Sequence, residues 1–128
     1  MAIKSYQDLQ VWQRGMVIAE LVYQLTQKFP REEMFGLTSQ MRRAATSIPA
    51  NLAEGWGRGT TKEFLRFIRI ANGSLRELET HLILAQRVKL VTPELIQPIL
   101  GQLTTLSRQL TALQRSLLKR SSSPSAGD

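Results

Sequence analysis

A chain of 128 residues, 42% of them hydrophobic, has the length of one domain and can bury a core without a disulfide or a structural metal. It contains no cysteine, which excludes thiolate catalysis, iron–sulfur ligation and cysteine zinc sites. Seventeen basic residues against ten acidic ones give a net charge of +7, which favours a polyanionic partner, although a basic protein without such a partner is an equal alternative.

The first predicted helix begins at a capping box, Ser5 with Asp8, and runs to about Lys28, where Phe29-Pro30 ends it. Its apolar residues form two adjoining stripes, Leu9, Trp12, Met16, Ala19 and Tyr23 beside Val11, Gly15, Ile18, Val22, Leu25 and Phe29. So wide an apolar arc predicts either packing against a second subunit or contact with two neighbouring helices of one bundle.

Residues 30–36 are predicted to form a connecting turn with Met34 and Phe35 packed inward. The second helix should run from Leu37 to Glu54 and end at Gly55, with a glycine-rich loop to Gly59. No strand precedes these glycines and no Gly-Lys-Ser/Thr follows them, so a helix C-cap explains them better than a phosphate cradle does.

The stretch 40–59 is the most distinctive in the chain. Ser47, Asn51 and Gly55 recur at i, i+4 and i+8, and side chains this small or amide-bearing predict a second helix in close contact. Pro49 removes a backbone donor and crowds the carbonyl of Ala45, so a bend or a new helical segment is expected there.

Arg43, Asn51 and Glu54 form either a ligand site or a structural group, and the structural interpretation is favoured because buried polar groups mostly satisfy one another. In that interpretation Glu54 pairs with an arginine across a helix contact. Asn51 then bonds the carbonyl that Pro49 leaves open.

The third helix should begin at a second capping box, Thr60 with Glu63, and extend to about Lys89. A near-heptad apolar row predicts its buried face: Phe64, Phe67 or Ile68, Ala71, Leu75, Leu78, Leu82 and Ala85. The small residues 72–74 imply close contact with the second helix. The opposite side carries the basic row Lys62, Arg66, Arg69 and Arg76, with Gly73 completing its spacing.

Positive charge is concentrated in the middle of the chain. Between positions 42 and 76 there are two acidic residues and seven basic ones, +5 of the total +7: Arg42, Arg43, Arg58, Lys62, Arg66, Arg69 and Arg76. This face is either a solvated surface or a site for nucleic-acid phosphates, with even odds.

Thr92 and Pro93 are a suitable start for the fourth helix, and Pro98 predicts an irregular beginning that becomes regular near Ile99. The predicted buried face is Leu95, Ile99, Leu103, Leu106, Leu110, Leu113 and Leu117. Residues 5–120 should form one domain, and residues 121–128 a disordered tail. Four amphipathic helices with short links predict an all-α, antiparallel up-down-up-down four-helix bundle.

The residues offer little for catalysis, a metal or a cofactor. His81 is the sole histidine, Glu77 and Glu79 face different ways, and no pair of Glu-x-x-His motifs is present for a di-iron site. We therefore predict a protein that is not an enzyme and has no cofactor. Without a signal-peptide core or a stretch of roughly 18 apolar residues, a cytoplasmic location and no membrane partner are expected.

Three motifs in order, DLQVWQ, QMRRAATSIPANLAEG and IANGSLRELETHL, resemble the bacterial four-helix-bundle family encoded in intervening sequences of 23S ribosomal RNA. The likeness covers residues 5–118. It implies a ring-shaped homo-oligomer, a homopentamer in that family. Distant relatives serve as accessory proteins of diversity-generating retroelements, which implies a reverse transcriptase as a second kind of partner.

Three functions follow as hypotheses. The first is a basic homo-oligomer that binds structured RNA or DNA through Arg42 and the cations from Arg58 to Arg76, since five copies would carry +35. The second is an adapter for a protein such as a reverse transcriptase. The third is an enzyme, for which the sequence supplies no catalytic groups.

Overall fold

Residues 3–121 are described by a computed structural model, and within them the chain is entirely helical, which confirms the predicted all-α class. The four α-helices in this range are α1 (Gln10–Thr26), α2 (Leu37–Gly57), α3 (Thr61–Arg87) and α4 (Pro93–Ser121). Short 3-10 turns precede the first two, at Tyr6–Asp8 and Arg31–Glu33. Residues 122–128 of the predicted tail lie outside the described range, and Ser121 is the last residue of α4.

Each helix packs against the next in sequence, and α1 packs against α4, which closes the bundle. Late residues of α2 meet early residues of α3: Gly55 lies against Phe67, while Ser47 Oγ is 2.8 Å from Ser74 Oγ farther along. The pairing of α2 with α3 is therefore antiparallel, as the short link between these two helices predicts.

Apolar side chains from all four helices fill the centre of the bundle. The predicted row on α3 is buried along its whole length: Phe64, Phe67, Ile68, Ala71, Leu75, Leu78, Leu82 and Ala85. Burying each large apolar side chain stabilises the fold by roughly 1.5–3 kcal/mol, so this row and its partners supply most of the stability. On α4 the buried face is shifted by one residue at its start, because Ile96 is fully buried and Leu95 is 45% exposed.

α2 passes through Pro49 as one helix, so the predicted start of a new segment there is wrong. Pro49 is itself buried, and a Cβ built on Gly15 of α1 would lie 3.4 Å from its ring. Tertiary packing thus holds the helix together although one backbone donor is missing. Asn51 Nδ2 donates to the carbonyl of Ser47 at 2.8 Å and to its hydroxyl at 2.9 Å, so Asn51 does not bond the carbonyl of Ala45 as predicted.

α2 ends at Gly57, so the predicted end at Gly55 is wrong, but a glycine of this stretch, Gly59, does follow the C-cap residue in the left-handed conformation. Gly55 is buried where α2 and α3 are closest: a Cβ there would lie 2.5 Å from Cβ of Phe67. The chain reverses at Gly59, whose φ of +85° suits a residue without a Cβ. Thr60 Oγ1 then accepts a hydrogen bond from the backbone N–H of Glu63 and caps α3 as predicted.

The starts of two helices and the exposure of one connection also differ from the predictions. The capping box at Ser5 is formed, but it caps the first 3-10 turn, and α1 begins only at Gln10. Met34 and Phe35 are not packed inward: they are 49% and 91% exposed, because their 3-10 connection lies outside the helical core. α4 is helical from Pro93 straight through Pro98, without the expected irregular start.

Candidate nucleic-acid interface

The basic row lies on the solvent side of α3, opposite its buried apolar row, as the amphipathic pattern requires. Lys62, Arg66, Arg69 and Arg76 are all exposed. Arg58 follows the last residue of α2 and is exposed as well. The structure therefore brings five of the predicted cations to one side of the α2–α3 corner and of α3.

Phe67 positions two of these arginines. The guanidinium carbon of Arg58 lies 5.2 Å from the centroid of its ring, and that of Arg66 lies 4.6 Å from it. A guanidinium over an aromatic face gains about 0.5–1 kcal/mol at an exposed site, which favours these rotamers over many others. Buried Phe67 thus connects the close α2–α3 contact at Gly55 to the placement of surface charge.

Three arginines of this surface form ion pairs at 2.8–3.0 Å: Arg58 with Glu54, Arg66 with Glu63, and Arg76 with Glu79. Their side chains remain 48–57% exposed, so water screens each pair. Exposed pairs of this kind contribute about 0–1 kcal/mol, and an incoming phosphate can displace the carboxylate at low cost. Lys62 and Arg69 form no ion pair with any residue in the range 3–121.

The pKa of Glu63 is lowered from its ordinary value of 4.5, chiefly by the hydrogen bond from Arg66. Desolvation opposes this shift, and the charges of Arg66, Arg58 and Lys62 add to it. Glu63 is therefore ionised at neutral pH and offsets part of the positive charge of the row.

The predicted excess of +5 positive charges depends on the residue at which the count of charged residues ends. Glu77 and Glu79 follow Arg76 within one helical turn, and they pair with Arg43 and Arg76. Counting on to Glu79 reduces the excess from +5 to +3. The exposed basic row is real, but its charge is smaller than the shorter stretch indicates.

Arg42 and Arg43 serve other contacts. Arg42 is half-buried: its Nε donates to Thr26 Oγ1 at 2.8 Å, and its guanidinium lies 4.4 Å from the centroid of Tyr23. One N–H and one face of its guanidinium are thus engaged by α1, and its place in a nucleic-acid site stays a prediction. Arg43 pairs with Glu77 of α3.

Most of the polar residues of α2 that were predicted to have a structural role bond other residues of the bundle. Ser47 and Ser74 bond each other across the contact between α2 and α3, as the small-residue spacing predicts. Glu54 does not pair across a helix contact. It pairs with Arg58 one turn along, and the pair that crosses between α2 and α3 is Arg43 with Glu77.

Sequence reasoning missed the basic surface of α4. Arg76 Nη2 donates to Ser107 Oγ at 2.9 Å, and the neighbouring Arg108 and then Arg115 are exposed without an ion pair in the described part of the chain. Their environment is visible in the sequence, because residues 95–120 contain four basic residues and no acidic one. A count over this whole stretch would have found them.

Other kinds of site are not evident within residues 3–121. No three histidine, aspartate or glutamate side chains there lie close enough together to hold a metal ion. His81 is half-buried, and its Nδ1 has no hydrogen-bond partner. None of the helices in this range is long and apolar enough to cross a membrane.

Comparisons with known proteins agree with this fold. The family model described as 23S rRNA-intervening sequence protein matches residues 7–112. The chain is similar to a crystal structure of a protein of unknown function from the S23 ribosomal protein family of Bacteroides thetaiotaomicron, with a TM-score of 0.73, 23% identity, and coverage of 81% of this chain and 97% of that one. No curated protein matches the chain. Since the family model covers well over half of it, the chain belongs to the family of 23S rRNA-intervening sequence proteins.

Proposed function

We propose that the protein is a non-catalytic, basic homo-oligomer that binds nucleic acid, structured RNA in particular, through electrostatic contacts. The observation that carries the proposal is the exposed row on α3: within residues 3–121 Lys62 and Arg69 form no ion pair, and the ion pairs of the other arginines of this surface are open to solvent. The family's name refers to 23S rRNA-intervening sequences, and for that reason we propose RNA as the polyanion.

The contacts would be made to phosphates. Phe64 and Phe67 are buried, so the rings nearest the row offer no face for stacking bases. Phosphate contacts position a strand without reading its sequence. Binding should accordingly be weakly sequence-selective and should fall steeply with added salt.

Neutralising the two unpaired cations together, Lys62→Gln with Arg69→Gln, is expected to weaken binding of an RNA hairpin about tenfold. Each phosphate contact is worth roughly fourfold in affinity near 0.15 M salt, since the binding constant falls with salt by close to one power per contact. Fluorescence anisotropy over a salt series measures both the affinity and the slope.

The matched control is Lys28→Gln with Arg87→Gln, which removes the same two charges at exposed positions outside the row. Equal losses in both variants would mean that net charge alone attracts RNA. Absence of RNA binding by the unaltered protein at low salt would refute the proposed function.

The homo-oligomer is proposed from α1. Met16 and Tyr23, seven positions apart and therefore on one line of the helix, keep 39% and 42% exposure, although a single bundle has already buried the adjoining stripe. Apolar side chains grouped on one helix face favour a protein contact. A second copy is the partner we propose, in a pentamer.

Light scattering should give a solution mass five times the chain mass of 14.5 kDa. Met16→Glu with Tyr23→Lys places charges on this face of α1 and should lower that mass, while circular dichroism shows an unchanged helix content. A single-chain mass for the unaltered protein would contradict the assembly.

A protein adapter is the second candidate, with a reverse transcriptase as one partner of that kind. It is favoured by the exposure of Phe35 and Met34 in the α1–α2 connection, where apolar groups meet solvent. The RNA experiment separates the two candidates, because an adapter needs no affinity of its own for RNA at low salt.

A further inference from the structure

A polar groove runs between α1 and α4, on a side of the bundle that the α3 row does not reach. It has a volume of about 560 Å³ and is lined by Gln10, Gln13, Arg14, Val17, Gln102 and Gln109. This volume falls in the range of roughly 300–1,000 Å³ typical of sites for small ligands. Four of its six lining residues are glutamines, which supply hydrogen-bonding groups without charge.

Arg14 differs from the paired arginines of the α3 surface. It is half-buried, its Nε donates to Gln109 Oε1 at 3.0 Å, and its Nη1 donates to Gln102 Oε1. No carboxylate pairs with it among residues 3–121. A guanidinium carries five N–H donors and no acceptor, so Arg14 retains donors for a further ligand, and an anion would also balance its charge.

The two glutamines add to this arrangement. Because Gln102 and Gln109 direct their oxygen atoms at Arg14, their amide NH₂ groups are left as further donors beside it. Gln10 and Gln13 of α1 line the same groove, and Gln13 Nε2 donates to the backbone carbonyl of Gln7 at 2.9 Å, which leaves the Gln13 amide oxygen as an acceptor. The site thus combines one fixed cation with amide donors from α4 and amide acceptors from α1.

We propose that this groove binds one nucleotide unit, with its phosphate on Arg14 and the edge of its base on the glutamine amides. Glutamine amides match the paired donor and acceptor atoms of base edges, whereas a carboxylate would use only the cation. On α4, Ser107 contacts Arg76 of the row and Gln109 lines the groove. Arg108 and Arg115, exposed and without an ion pair among residues 3–121, lie on the solvent side of α4 between these two contacts, so a strand on the row can reach the groove. The part of this inference in which an RNA strand on the row reaches the groove rests on the proposed function.

Gln109→Glu tests the site while keeping its shape. The new carboxylate would pair with Arg14 and occupy its donors, so the fold is retained but the phosphate is excluded. We expect about a tenfold loss of affinity for a single-stranded RNA 20-mer and no observable binding of AMP or GMP. The matched control, Gln97→Glu at an exposed position of α4, makes the same charge change and should alter the RNA affinity less than twofold.

NMR identifies the ligand and its place. Titration of the unaltered protein with AMP, GMP, inorganic phosphate and a glutamate-rich peptide should shift the Nε–Hε signal of Arg14, with the nucleotides binding more tightly than phosphate or the peptide. Equal affinity for AMP and for the 20-mer would identify a free nucleotide as the natural ligand, and tighter strand binding would identify a strand; either supports the site.

The outcomes separate this site from the proposed function. Equal RNA affinities of the Gln109→Glu and Gln97→Glu variants, in a protein that binds RNA, would overturn the groove and leave the α3 row standing. Nucleotide binding at Arg14 without any RNA binding at low salt would support the groove and refute the proposed function. Preference for the acidic peptide over both nucleotides would overturn the nucleotide assignment in favour of a protein partner.

Discussion

Gly55→Ala is expected to destabilise the protein by about 2 kcal/mol, although alanine is a better helix former than glycine by about 1 kcal/mol. The new Cβ would lie 2.5 Å from Cβ of Phe67 and 3.2 Å from Cδ1 of Phe64. A Cβ cannot move away by changing rotamer, so α2 and α3 must separate, and overpacking of this kind costs about 1–3 kcal/mol or more. Urea denaturation monitored by circular dichroism measures the loss.

Gly73→Ala is the matched control, because it is the same substitution in the middle of α3 where a new Cβ meets nothing within 4 Å. It should stabilise the protein by up to about 1 kcal/mol through helix propensity alone. Equal stability of the Gly55→Ala and Gly73→Ala variants would show that α2 and α3 can separate at Gly55 without loss of stability. Because the Phe67 ring positions the guanidinium groups of Arg58 and Arg66, the Gly55→Ala variant should also bind RNA more weakly.

Periodicity predicted what depends on local spacing. The line of Ser47, Asn51 and Gly55 predicted close contact between α2 and α3, and the apolar row of α3 is buried as expected, because both follow from the turn of one helix. The exposure of the basic row on the other side of α3 follows from the same geometry.

The features that the sequence did not predict depend on tertiary packing. Pro49 remains within α2 because α1 packs against it at Gly15, a contact between residues far apart in sequence. Phe35 is exposed because its connection lies outside the core, which composition alone did not indicate. Arg14 and Gln109 are 95 positions apart, so no local pattern relates them.

Charge was the property hardest to predict from one segment. The basic row was read as positive because the count ended at Arg76, one residue before Glu77. Its arginines in fact share the surface with carboxylates that hold them at 2.8–3.0 Å, so the free charge of the surface depends on how easily those pairs open. The arginine side chains are 48–57% exposed, which makes opening cheap although Glu63 and Glu79 are only 35% and 23% exposed, and removal of the carboxylates is therefore the sharpest test of the row.

Replacing three carboxylates by glutamine, at Glu54, Glu63 and Glu79, is expected to tighten binding of an RNA hairpin about sixtyfold at 0.15 M salt. The net charge rises from +7 to +10, and each of the three arginines that these carboxylates hold is released for a phosphate contact worth roughly fourfold in affinity. The salt dependence should steepen in parallel. Stability should fall little, because each exposed pair contributes only about 0–1 kcal/mol.

The control neutralises three carboxylates that form no ion pair within residues 3–121, Glu20, Glu32 and Glu94, which raises the net charge to +10. If the row binds RNA, this variant gains at most a few-fold, since its new charge lies outside the contact and is screened within about 10 Å. A similar gain in both variants would mean that RNA responds to net charge and not to the row. If the variant that lacks the paired carboxylates binds RNA no more tightly than the unaltered protein does, these arginines never meet a phosphate, because their release raises the affinity only where RNA contacts them.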